Sequence, residues 1–171
     1  GLRNNSKKIY KPITYYLVGF MDLHQKNILI VGLGISGMAA ARFAKNKGGI
    51  VTITDIAEED ALAGYLPEVR NIDVRTELGG HNPKTFESAD LIIVSPGVPH
   101  TILPIKRAKD KGIPVLGEIE LASRYIREPI VAISGTNGKT TTTRLLGNML
   151  ENSGVKVFVG GNIGNPLIDY A

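Results

Sequence analysis

The chain of 171 residues contains no cysteine, and only 6% of it is aromatic. Without thiols there can be neither disulfides nor thiolate-held metals, a composition compatible with a reducing cytoplasm, where we expect the protein to reside. Histidine is scarce as well. His24, His81 and His100 lie far apart, without the close spacing that brings two imidazoles to one metal, and they read as ordinary surface or loop residues. Long apolar runs are also missing. The stretch "ITYYLVGF" (Ile13 to Phe20) follows a basic segment as a secretion signal would, but a bilayer span needs about 20 apolar residues, and no small-residue cleavage site follows it. Residues 1–20 therefore read as an appended or disordered extension. Met21 is the natural start, a genuine extension or surface anchor is the alternative, and no stable membrane association is expected.

Excess charge is confined to the same segment. The formal net charge is +4 and the pI about 9.3, but Arg3, Lys7, Lys8 and Lys11 stand in the first twenty residues without an acid. With those four set aside, the other basic residues equal the 16 acidic ones. A neutral body with few aromatics lacks the basic stripe of a DNA or RNA binder, so no nucleic-acid partner is expected.

What is present is a globular composition, 43% hydrophobic with mean hydropathy near zero, sufficient for a normal core. "NILIVG" (Asn27 to Gly32), "IVTITD" (Ile50 to Asp55), "IDVRTE" (Ile72 to Glu77), "LIIVSPG" (Leu91 to Gly97) and "PVLG" read as strands. Between or after them, "SGMAAARFAKNKGG", capped by Ser36, "ILPIKRAKDKG" and "EIELASRYI" read as helices. Strand alternating with helix predicts a doubly wound, Rossmann-like parallel sheet over residues 21–127. Beyond a boundary near Arg127 to Pro129, "PIVAIS" predicts a strand, "TTTRLLGNMLENSG" a helix and "VKVFVGG" another strand. Residues 128–171 thus read as the first β-loop-α-β of a P-loop ATPase domain.

Two motifs carry nucleotide chemistry. In "GLGISG", Gly32, Gly34 and Gly37 fit G-x-G-x-x-G between strand and helix, where glycines permit a tight turn and let helix amides approach a diphosphate. Asp55 ends the next strand, near the interval of a ribose-binding acid. The alternative is that these glycines only allow close strand-helix packing. The second motif is "SGTNGKTTTT" (Ser134 to Thr143). Amides of Gly135, Thr136, Asn137, Gly138 and Thr141 can wrap phosphate oxygens, Lys139 can reach the β- and γ-phosphates of ATP, and the Thr140 hydroxyl can bind Mg²⁺. The usual spacing would put glycine where this chain has Ile133, so a plain Gly-Asn turn is the competing reading. "SPGVP" (Ser95 to Pro99) and "GGNIGNP" (Gly160 to Pro166) each follow a predicted strand, as ligand loops or as simple turns.

Taken in order, "GLGISG", "SPGVP", "GEIELA", "SGTNGKTTTT" and "GGNIGNP" resemble the Mur ligases of bacterial cell-wall synthesis, nearest the branch that adds D-glutamate. The resemblance runs from about Lys26 to the end, and "GTNGKT" accounts for the departure from the common phosphate-loop spacing. It implies a three-domain enzyme that phosphorylates the carboxylate of UDP-N-acetylmuramoyl-L-alanine with ATP and joins the acyl phosphate to D-glutamate. By motif position, Gly32, Gly34, Ile35, Ser36, Gly37, Asp55, Gly97 and Asn162 would line the UDP site. Lys139 would be the catalytic lysine, and Thr140 the residue toward Mg²⁺. Ile56 and Ala57 stand where some relatives carry polar residues that hold uracil. The resemblance also implies that the chain is a fragment with an incomplete catalytic site, inactive alone. Two other readings stay open: a nicotinamide-dependent oxidoreductase, supported by "GLGISG" and Asp55, and a non-catalytic nucleotide-binding module.

Overall fold

The computed structural model describes residues 20–162 and 164–171. The expectation for residues 1–20 lies outside the described residues except at Phe20, whose ring meets Tyr125 edge-on with centroids 5.2 Å apart. Among the described residues no helix is long and apolar enough to cross a membrane.

Five strands form one parallel sheet: β1 (Asn27–Val31), β2 (Ile50–Thr54), β3 (Arg75–Glu77), β4 (Leu91–Val94) and β5 (Val115–Gly117), in the order β3-β2-β1-β4-β5. The chain builds outward from β1 to one edge, then crosses to β4 on the other side. The carboxyl ends of β1 and β4 therefore flank a point where the crossovers diverge, the place open parallel sheets hold ligands.

The apolar runs that form the central strands are buried because helices cover both faces. Alternate residues split cleanly. Ile28 and Ile30 of β1, Val51 and Ile53 of β2, Leu91 and Ile93 of β4 and Leu116 of β5 face one layer, with helices α1 (Ile35–Asn46) and α2 (Leu66–Asn71) contributing to it. Leu29, Val31, Ile92 and Val94 face the other, against Phe86 of α3 (Pro83–Glu87) and Ile105 and Ala108 of α4 (Leu103–Asp110). Along α1, Ala39, Ala40, Ala41 and Ala44 are all buried, and small side chains let the helix lie close on β1 and β2. Leu121 and Ala122 of α5 (Glu118–Ser123) complete the first layer, together with Ile168 from a short 3-10 turn at Leu167–Asp169.

Three expectations need correction. Helix α1 starts at Ile35 with Gly34 at the cap position, so Ser36 sits inside its first turn and caps nothing. "PIVAIS" and "VKVFVGG" form no strand ladder; the only pairing there among the described residues is an isolated bridge between Gly160 and Asn165. A strand needs a hydrogen-bonded neighbour. No described strand runs beside either segment, and Ile130, Val131 and Val155 stay exposed. The helix between them does form, as α6 (Lys139–Asn152).

Candidate functional site: a crevice at the carboxyl ends of β1, β2 and β4

The β1–α1 turn is built by three glycines with three different duties. Gly32 has φ +100°, and a Cβ there would lie 2.8 Å from Val98 Cγ2, so a side chain meets both backbone strain and a clash. Its N–H donates to Thr54 O at 2.8 Å and its carbonyl accepts from the buried Ser95 hydroxyl at 2.8 Å, which ties the turn to β2 and to the loop after β4. At Gly37 a Cβ would fall 2.0 Å from Gly32 O, so this glycine serves the packing of helix on turn. Gly34 faces open space. The backbone there is free for a ligand to approach.

Asp55 locks the adjoining loop. Its Oδ2 accepts the Leu33 N–H at 2.7 Å and its Oδ1 the Ala57 N–H at 2.9 Å, so the carboxylate pins both loops that rise from β1 and β2. Next to it, the buried Thr54 hydroxyl donates to Gly80 O at 3.1 Å. That uses its one hydrogen. His81 Nδ1, 3.0 Å from the same oxygen, must therefore be the donor of its pair, leaving Nε2 of the neutral ring as an acceptor. Burial lowers the pKa of His81 below the ordinary imidazole value, against the opposing pull of Asp55, so the neutral form prevails at physiological pH.

These groups surround a crevice of about 590 Å³ lined by the loops after β1, β2, β3 and β4. Of the residues assigned to a UDP site from sequence, Gly32, Gly34, Ile35, Ser36, Asp55, Gly97 and Asn162 all line it, and Gly37 sits beneath it in a packing role. Asn162 is brought in from far along the chain. The whole of "SPGVP", Ser95 to Pro99, lines it as one of the two expected ligand loops, and Tyr65, His81 and Ile102, not singled out from sequence as site residues, line it too. Gly79-Gly80-His81 directly after β3 was a usable signal for His81, whereas Tyr65 and Ile102 carry none. The first turn of α1 has no side-chain cap and no acidic residue of its own, so the crevice offers an anion the positive end of a 12-residue helix, with Asp55 beside it.

The second loop is differently placed. Residues Ser134 to Thr142 are exposed, Gly138 turns the backbone at φ +75°, and α6 starts at once with no acid in its first turn. The Lys139 ammonium folds back on its own loop, donating to Gly135 O and, at 3.3 Å, to Thr136 O. A flexible cation, the first-turn amides of a 14-residue helix and the Thr140 hydroxyl form a donor set that fits a polyphosphate. Among the described residues no group of three His, Asp or Glu side chains could hold a metal.

A parallel sheet in this order, with a mainly apolar crevice over its carboxyl ends into which a few polar groups and an uncapped helix end converge, defines a Rossmann-like α/β unit of the kind that holds ligands there. More particularly, the chain belongs to the Mur ligase family: the family described as Mur ligase MurD-like, N-terminal domain, matches residues 26–117. It is 56% identical over 151 residues to the UDP-N-acetylmuramoylalanine–D-glutamate ligase of Desulfatibacillum aliphaticivorans, and 54% identical over 151 residues to that of Desulfosudis oleivorans. Each match covers 88% of this chain but only 34% and 33% of the relative, so the chain spans about a third of the length of these curated relatives. Among solved structures, a pseudomurein peptide ligase type C from Methanothermus fervidus superposes with a TM-score of 0.52 at 30% identity, covering 81% of this chain and 29% of that one. A murein peptide ligase from Psychrobacter arcticus, with TM-score 0.50 and 22% identity over 80% of this chain and 30% of that one, shares the fold.

Proposed function

We propose that the chain supplies the UDP-substrate unit, residues 21–127, and the opening of the ATP-binding unit, residues 128–171, of a cytoplasmic ligase adding D-glutamate to UDP-N-acetylmuramoyl-L-alanine. The observation that carries this reading is the convergence of the β1–α1 turn, Asp55, Gly97 and Asn162 on one crevice. In it, the amides at the start of α1 would receive the diphosphate. Asp55, already held rigid by two backbone N–H groups, would accept from a sugar hydroxyl. The neutral His81 offers an acceptor that suits an N–H of a base, a contact that would offset the apolar Ile56 and Ala57.

ATP would supply the phosphoryl group that activates the substrate carboxylate. This chain's part is to hold it: Lys139 would leave its loop carbonyls for phosphate oxygens, Gly138 would set the turn, and the Thr140 hydroxyl would orient Mg²⁺. Phosphoryl transfer rests on positioning and charge stabilisation. An exposed lysine and one hydroxyl provide little of either, so these 171 residues alone are expected to show no D-glutamate-dependent phosphate release. A measured release would refute that.

Calorimetric titration of the chain with UDP-N-acetylmuramoyl-L-alanine, with NADH and Mg-ATP as controls, tests the reading. Saturable binding of the UDP-sugar, lost in Asp55→Ala, supports it. Binding of NADH in its place would establish the oxidoreductase alternative.

A further inference from the structure

Glu118 is a charged residue only 2% exposed at the start of α5. Its Oε1 accepts the N–H of Ile168 at 2.7 Å, from a residue 50 positions later, and its Oε2 is buried without a partner. Burying a carboxylate is costly unless the contacts it makes repay it, and the contact here is to a peripheral segment, not to the sheet. Three further contacts hold the same segment. Arg42 Nη2 of α1 donates to Asp169 Oδ1 at 3.3 Å, the Ile168 side chain is 2% exposed between α1 and α5, and Pro166 is buried.

The segment leads straight to the crevice. The Gly161 N–H donates to Asn165 O at 2.8 Å and Gly160 bridges Asn165, which brings the two sides of the segment carrying Asn162 together. A Cβ on the buried Gly161 would touch Ile119 of α5 at 3.5 Å, so the loop leans on the helix that Glu118 begins. On the other side, Val159 packs against Gly147 of α6.

We propose that Glu118 is a positioning residue: by anchoring the Ile168 backbone it holds the 160–168 loop on α5 and so sets Asn162 in the wall of the crevice. The part of this concerning ligand rests on the proposed UDP site; the anchoring itself does not. A neutral acceptor serves the same end, so Glu118→Gln keeps the contact, while Glu118→Leu fills the space without it.

The experiment is residue-resolved hydrogen exchange on the whole chain, with calorimetric titration of UDP as the probe. In the unaltered chain the Ile168 amide is expected to exchange at least ~100-fold more slowly than a free amide, the hallmark of a buried hydrogen bond. Fast exchange there overturns the proposal whether or not any variant folds. In Glu118→Leu, the Gly161 and Ile168 amides are expected to lose protection while those of β1 and β4 keep it, and UDP affinity to fall roughly 5- to 10-fold, about 1–1.4 kcal/mol. In Glu118→Gln both should stay near the unaltered values. Added to Asn162→Ala, Glu118→Leu should weaken UDP no further, because its effect passes through Asn162. An equal loss in both backgrounds, or unchanged exchange at Gly161 and Ile168, overturns the proposal. If the unaltered chain does not bind UDP, the substrate reading fails, and the exchange measurement still decides the anchoring.

Discussion

Asp55 shows how one side chain can serve fold and site together. A buried or half-buried acceptor whose removal strands two backbone donors costs about 1–3 kcal/mol, so Asp55→Ala is expected to lower stability by that much in urea titration as well as abolish UDP-sugar binding. Asp55→Asn keeps one acceptor and should fall between. Gly37→Ala puts a methyl group onto Gly32 O and must displace the turn; the expected outcome is a loss of roughly 3 kcal/mol or more by the same assay, in the range of severe packing errors. Gly34→Ala, by contrast, meets nothing and should leave stability within about 1 kcal/mol of the parent while weakening UDP binding. The two titratable groups described above act in opposite senses. His81 has its pKa lowered by burial, so the stability it contributes is present above its unfolded value near 6.5 and is lost as pH falls through the folded value. Glu118 has its pKa raised by burial, against the Ile168 backbone hydrogen bond, so its contribution is full below the unfolded value near 4.3 and is lost as pH rises through the folded one. Denaturation at several pH values should therefore show His81→Gln flattening the fall in stability below pH 6.5, and Glu118→Gln gaining stability at neutral pH. Of these residues, the glycines and Asp55 were legible in the sequence because a turn of fixed spacing demands them. Glu118 was not, since nothing local marks a carboxylate that is bound 50 positions away.

At the scale of elements, β1, β2 and β4 were legible because each is a short, largely buried apolar run stopped by a polar or flexible residue, whereas of the strand expected over Ile72 to Glu77 only the polar edge Arg75–Glu77 pairs, Ile72 closing α2 instead. Helices α2 and α3, of six and five residues, escaped: neither is long enough to show a helical repeat, and the Asn82 side chain capping the Lys84 N–H at 3.1 Å is a signal too small to weigh alone. "PIVAIS" and "VKVFVGG" have the composition of strands, yet composition gives only willingness to pair. The difference is measurable. Ile93→Ala in β4, where the side chain is 1% exposed, is expected to cost about 2–5 kcal/mol, whereas Val131→Thr, 66% exposed, should stay within about 0.5 kcal/mol. A large cost at Val131 would mean that the segment is paired in solution.

For the molecule as a whole, the order of motifs was legible and their spatial meeting was not. Nothing in the sequence says where the last residues pack; Ile168 and Asp169 reach α1 and α5 of the first unit. Ile168→Ala is expected to destabilise the sheet unit by about 2–4 kcal/mol in thermal or urea unfolding, although it lies fifty residues beyond that unit's last strand-helix junction. The anchor also has a timetable. Glu118 leaves the ribosome 50 residues ahead of Ile168, and at about 5–20 residues per second the interval is about 3–10 s. For those seconds the sheet can be paired while the wall bearing Asn162 does not yet exist, so in a nascent chain the last piece of the first hydrophobic layer, Ile168, and the complete ligand cleft arrive together with the returning segment.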